Sequence, residues 1–213
     1  MNGLYKTAFA FTLLALWGLT ARAADRAVPE EGALEVMLLR QQSVQKELKM
    51  TPDEVEKVHK HCAMQWEKAE KISKLPSEAE RDKEFTVLTK ENDRFIETTL
   101  KKPERERLRE IMLQIAGLLC LSRTDVASEL GLTAEQKQKL PALQKEARHE
   151  MEQVIYDTKK EQKRAKLKEL RETSRQKVQQ LLTDAQKTKW KQMTGKQFDG
   201  DLGAFFDKEQ AGL

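Results

Sequence analysis

The chain has 213 residues, of which 38% are hydrophobic, 6% aromatic and 35% charged, with a mean hydropathy of −0.72. That is poorer in apolar residues than the roughly 45–50% of an ordinary globular domain, so the core is thin; nine Gly and five Pro interrupt long runs of Lys, Glu, Gln, Arg, Ala and Leu, which favour helix over sheet. A net charge of +4 does not call for nucleic acid, and three His with no Gly-rich phosphate loop, no nucleophile set beside a base and no strand to build a cleft leave a catalyst without parts, so the expectation is an all-α protein that is not an enzyme.

Residues 1–23 read as a signal peptide: Lys6 gives a basic start, residues 7–19 are mostly apolar, and Ala21-Arg22-Ala23 fits a small-x-small cleavage site. A retained membrane anchor is the alternative, but the apolar run is short for a span and no Cys follows to take a lipid. Cleavage near Ala23 removes Lys6 and Arg22, so Lys plus Arg falls from 39 to 37 against 35 acids, and the mature chain is expected to be soluble in the periplasm or secreted. Residues 24–32, with Pro29 and Gly32, read as a linker.

From residue 33 the chain repeats itself. Slid by 82 positions, Met37 falls on Leu119, Val44 on Val126, Leu48 on Leu130, Thr51 on Thr133, Leu88 on Leu170, Ile96 on Val178 and Leu108 on Trp190. The register needs no gap and defines two tandem repeats, residues 33–114 and 115–198, with a tail over 199–213. Each repeat starts with a short helix, over about 34–48 or 124–130, and then a long helix opens at a capped Thr. Thr133 with Gln136 and Thr183 with Gln186 have capping-box spacing, in which the hydroxyl accepts from the N3 backbone N–H and the N3 side chain reaches back to the cap N–H. Thr51 with Glu54 is the same device with Glu for Gln, and Lys101 to Glu104 is a degenerate copy without the Thr.

In the first repeat Leu75-Pro76 ends the long helix, and Ser77 with Glu80 offers another capping box for a returning helix that runs to about Thr99. The second repeat has only Thr158 and Glu161 at that place, so one continuous helix competes there with a hairpin, and Pro141 is expected to kink the long helix. Apolar stripes mark the returning helices, Phe85, Leu88, Asn92, Ile96 and Thr99 in one and Leu167, Leu170, Ser174, Val178 and Leu181 in the other. A shorter helix closes each repeat.

The segments 132–136 (LTAEQ) and 182–186 (LTDAQ) resemble the paired LTxxQ motifs of the Spy-like periplasmic proteins, small exported all-helical proteins of envelope stress. The resemblance implies an extended helical cradle, a homodimer in the best-known members, and an ATP-independent chaperone or stress adaptor whose partners are unfolded or partly folded proteins. Here two such units would sit in one chain.

Some relatives in that family bind zinc or sense nickel and cobalt, which directs attention to the metal-ligand types His59, His61 and Cys62. On a helix His59 and Cys62 share a face while His61 points about 200° from His59, leaving two ligands where tight sites use three or four. Metal binding and a structural role both stay open. Cys62 and Cys120 are the only cysteines; a bridge between them would stabilise by roughly 4 kcal/mol on the chain-entropy model, whereas burial as two small hydrophobes is the alternative. Nine Lys and Arg against three Glu between Lys159 and Lys177 form either a solvated helix face or a surface attracting acidic clients or, weakly, an anionic membrane. Phe198, Phe205 and Phe206 in the C-terminal segment 198–213 either dock back or present an interaction motif. The functional expectation is an exported chaperone; an exported metal binder or a purely structural envelope component are the alternatives.

Overall fold

The computed structural model describes residues 33–158 and 160–202; the expected signal peptide, the linker, Lys159 and the tail from residue 203, with Phe205 and Phe206, lie outside them. The described residues are all-helical, with nine α-helices, one 3-10 turn and no strand. They fall into two compact units, one of residues 33–112 with 198–202 and the other of residues 113–197.

In the first unit the expected helix over 34–48 is two helices, α1 (Ala33–Leu39) and α2 (Gln42–Glu47), separated at Arg40 and Gln41. Gln41 is extended (φ −79°, ψ 123°), and the Gln45 amide bridges the break by donating to Leu39 O at 2.8 Å. The step lets Leu38, Leu39 and Val44 all reach full burial, which a straight 3.6-residue period does not give them. Helix α3 (Pro52–Ser73) starts at Thr51 with a complete capping box, Thr51 Oγ1 accepting from Glu54 N–H at 3.3 Å and Glu54 Oε2 accepting from Thr51 N–H at 2.7 Å. Pro52 sits at the first helical position, where its missing N–H costs nothing.

Helix α4 (Glu78–Thr99) starts at Ser77, whose hydroxyl accepts from Glu80 N–H at 3.4 Å, one half of the expected box. It packs along α3, burying Leu88, Asn92 and Ile96, and at the turn end Ala69, Ile72 and Leu88 form an apolar cluster closed by Leu75 and Phe85. Helix α5 (Lys102–Ala116) follows, with Leu108, Ile111 and Met112 buried. At residues 198–202 the chain rejoins this unit: Phe198 and Leu202 are buried, and Ser43 Oγ donates to Asp201 O at 2.5 Å.

The second unit opens on the end of α5 and a 3-10 turn, Gly117–Cys120. Gly117 has φ +50°, and a Cβ there would stand 2.6 Å from Ser174 Oγ, so both the backbone sign and the close approach require glycine. Helix α6 (Thr124–Leu130) ends at Gly131 in the left-handed conformation. Helix α7 (Ala134–Asp157) carries Pro141 inside it and continues through that residue without ending. It stops at Thr158, extended at φ −97° and ψ 133°, so a break replaces the continuous helix that the sequence left open. Helix α8 (Lys160–Leu181) then packs along α7 and on the 3-10 turn, and α9 (Asp184–Thr194) packs on α6 with Trp190 and Met193 buried.

Candidate functional site: the paired glutamines and the α7–α8 groove

Both Thr-x-x-Gln motifs of the second unit cap helices. Thr133 Oγ1 accepts from Gln136 N–H at 3.2 Å and Thr183 Oγ1 from Gln186 N–H at 3.4 Å, while each Gln carbonyl oxygen accepts from its own Thr N–H at 2.9 and 3.0 Å. The glutamines then reach past their own helices to each other. Gln136 Nε2 donates to Gln186 Oε1 at 2.7 Å, and Gln186 Nε2 returns the bond to Gln136 Oε1 at 2.9 Å. Each amide also holds a backbone carbonyl two residues before the other Thr: Gln136 bonds Leu181 O at 2.9 Å, and Gln186 bonds Gly131 O at 3.0 Å. Both side chains are buried, and every amide hydrogen and carbonyl oxygen has a partner, so the clasp meets the condition under which a buried polar pair stabilises. The role needs a donor and an acceptor in one side chain, which Gln has and an ionised Glu lacks.

Beside the clasp a groove of about 430 Å³ runs between the first half of α7 and the end of α8, lined among others by Gln136, Lys139, Leu143, Lys177 and Leu181. Lys177 Nζ bonds Glu150 at 3.0 Å and Glu146 at 3.3 Å. Burial opposes its charge, but the two carboxylates outweigh that, holding its pKa above the ordinary lysine value. Lys139 pairs with Glu135 at 2.7 Å, and both also line the groove.

The same level of the α3–α4 hairpin is built differently. His61 is buried; its Nε2 donates to Asn92 Oδ1 at 2.8 Å, and its ring stacks on Phe95 with centroids 3.9 Å apart and planes 2° from parallel. Burial pushes its pKa below the usual histidine value, with the Asn92 bond pulling the other way. Alongside, Gln65 donates to Glu91 at 3.0 Å and Lys68 pairs with the same carboxylate at 2.5 Å, so Lys68 first and Gln65 second hold Glu91 below the usual carboxylate range.

The metal-ligand types thus have separate surroundings. His59 is exposed on α3, His61 faces Asn92 and Phe95, and Cys62 is buried with Sγ 3.8 Å from Val36 O, where burial pushes its thiol up to about 12. Among the described residues no group of three or more His, Cys, Asp or Glu side chains converges on a place for a metal ion. Cys62 and Cys120 are both buried free thiols, the second with Sγ 3.1 Å from Gly117 O. The alternative of two small buried side chains therefore describes them, and no disulfide joins them. In the second unit the residue 82 places after Cys62 is Gln144, whose amide ties Leu118 O, Leu119 O and Ser122 Oγ at 3.0–3.1 Å.

The degenerate motif at Lys101 keeps half of its function: Glu104 Oε2 accepts from Lys101 N–H at 2.7 Å. In the basic stretch of α8, Lys166 pairs with Glu169 at 3.6 Å and Arg175 with Glu172 at 2.7 Å along the helix. The sequence reading did not reach the Gln136–Gln186 clasp or the His61–Asn92–Phe95 group. The only hint of the second was Asn92 in an otherwise apolar stripe.

Set against protein-family models, curated proteins and solved structures, the chain matches none.

Proposed function

We propose that the chain is an exported, ATP-independent chaperone of the Spy-like kind, built as two tandem helical hairpins that form a cradle for unfolded clients. The observation that carries this reading is the clasp. It gives the two Thr-x-x-Gln motifs a joint purpose, to fix the starts of α7 and α9 side by side, which a chance capping box does not have. The element bounds support the tandem part: α4 (Glu78–Thr99) and α8 (Lys160–Leu181) each have 22 residues and begin and end 82 positions apart, as do the caps Thr51 and Thr133.

Long helices with narrow apolar stripes between charged flanks suit weak, unspecific capture. Apolar strips hold exposed hydrophobic segments of a client, while α8, with eight Lys and Arg against three Glu, speeds encounter with acidic ones. The metal-binding alternative loses ground because His61 and Cys62 are committed to Asn92 and Val36 O. The test uses the purified mature chain with an aggregating client protein. It should suppress aggregation near stoichiometric ratio without nucleotide, and less well at high salt. No effect at several-fold excess and low salt defeats the proposal.

A further inference from the structure

At the level where the α3–α4 hairpin holds the His61–Phe95 stack, the α7–α8 hairpin has Leu143 and Lys177, each 82 positions later, and both of these line the groove of about 430 Å³. A flat ring pair packs between the helices in the first case. In the second, a leucine and a lysine stem leave a cavity of the size that ligand pockets have. The Lys177 ammonium does not fill it, because Glu146 and Glu150 draw it one and two turns further along α7, away from Gln136 and Lys139. Leu143 and Leu181 are the apolar part of the groove's lining, with the Lys177 stem between them and the Glu135–Lys139 ion pair and the Gln136–Gln186 clasp at its polar edge.

We infer that the α7–α8 groove is a binding site for one aromatic side chain of an extended client segment, which takes the place that Phe95 and His61 fill in the first hairpin. This rests on the tandem reading above and sharpens the client class from unfolded protein in general to segments that carry Phe, Tyr or Trp. The chain supplies its own template for the occupant: the equivalent helix pair already takes a ring at this level. The polar rim of Thr133, Gln180 and Thr183 lets a peptide backbone cross the opening without losing its hydrogen bonds.

The test titrates the whole protein, by calorimetry, with an uncharged extended peptide bearing one central Phe and with the same peptide bearing Ala. The Phe peptide should bind roughly tenfold more tightly or better, as burial of one aromatic side chain gives. The variant Leu143→His/Lys177→Phe copies the first hairpin's stack into the groove and should abolish that preference while still melting cooperatively, at a temperature lowered by the loss of the Lys177 ion pairs. Leu143→Phe, which keeps Lys177 and its ion pairs, guards against a misfolded double variant and should weaken the Phe peptide in the same direction. Equal binding of the two peptides to the natural chain, or an undiminished preference in both folded variants, overturns the site. If the natural chain suppresses aggregation but does not prefer Phe, the groove proposal fails and the chaperone reading stands; a Phe preference without aggregation suppression fails the chaperone reading alone.

Discussion

Replacing Gln136 by Ala removes four hydrogen bonds at once. The two to Gln186 are buried and worth about 1 kcal/mol each, while those from Thr133 N–H and to Leu181 O are part-buried and partly replaced by water at about 0.5 kcal/mol each, so the loss is about 3 kcal/mol. Gln186→Ala removes the same two bonds between the glutamines and those from Thr183 N–H and to Gly131 O, for about 3 kcal/mol again. The double variant loses the shared buried pair once rather than twice, so its cost is about 4 kcal/mol and the coupling between the two sites is about 2 kcal/mol. Urea denaturation followed by circular dichroism measures all three. A coupling within about 0.5 kcal/mol of zero, which is what independent sites show, would mean that the two motifs cap their helices separately and that the clasp contributes nothing. Gln186→Glu adds a sign test. An ionised Glu has no hydrogen to give to Gln136 or Gly131 O, so the variant should be weakened at neutral pH and recover as acid restores a carboxyl hydrogen.

Three further outcomes are expected. Lys49 is the sole non-glycine with positive φ (54°) among the described residues and lies 82 places before Gly131, so Lys49→Gly should stabilise by roughly 0.5–1 kcal/mol, and a lowered urea midpoint would contradict the strain. Since burial lowers the His61 pKa, the stability it contributes is complete above the unfolded value of about 6.5 and is lost as pH falls through the folded value; His61→Leu should flatten the fall in urea midpoint between neutral pH and about 5.5, and an unchanged slope would assign that fall to other groups. Cys62, with its thiol pushed up to about 12, should resist iodoacetamide at pH 8 until urea unfolds the chain, and rapid native labelling would show that it is not shielded.

What the sequence disclosed depended on range. The boxes at Thr51, Thr133 and Thr183 are i to i+3 devices, written in four adjacent letters, and they form as read. The break at Arg40–Gln41 was missed because neither Gly nor Pro marks it; burial of Leu38, Leu39 and Val44 sets it, and periodicity alone does not report that. The 3-10 turn at Gly117 was missed for a related reason, its glycine being required by Ser174, 57 residues away in the chain. In the candidate site the Thr–Gln spacing was plain, whereas the bond from Gln136 to Gln186 belongs to tertiary structure. His61 was singled out for its metal-ligand chemistry, but its partners Asn92 and Phe95 come from another helix, so spacing within α3 could not show that its ring was already committed.

The clasp also bears on the order in which the second unit assembles. It joins residues 50 apart in sequence, and closing a flexible loop of that length costs about 3.5 kcal/mol in chain entropy before any contact repays it. The four bonds that the clasp makes across this loop, worth about 3–4 kcal/mol together, do little more than meet that cost on their own. A hairpin already closed between α7 and α8 brings Leu181 up beside Gln136, and the clasp then adds its bonds with little further loss of freedom. We expect the clasp to add its bonds after the hairpin has closed, so Gln136→Ala should speed unfolding more than it slows folding.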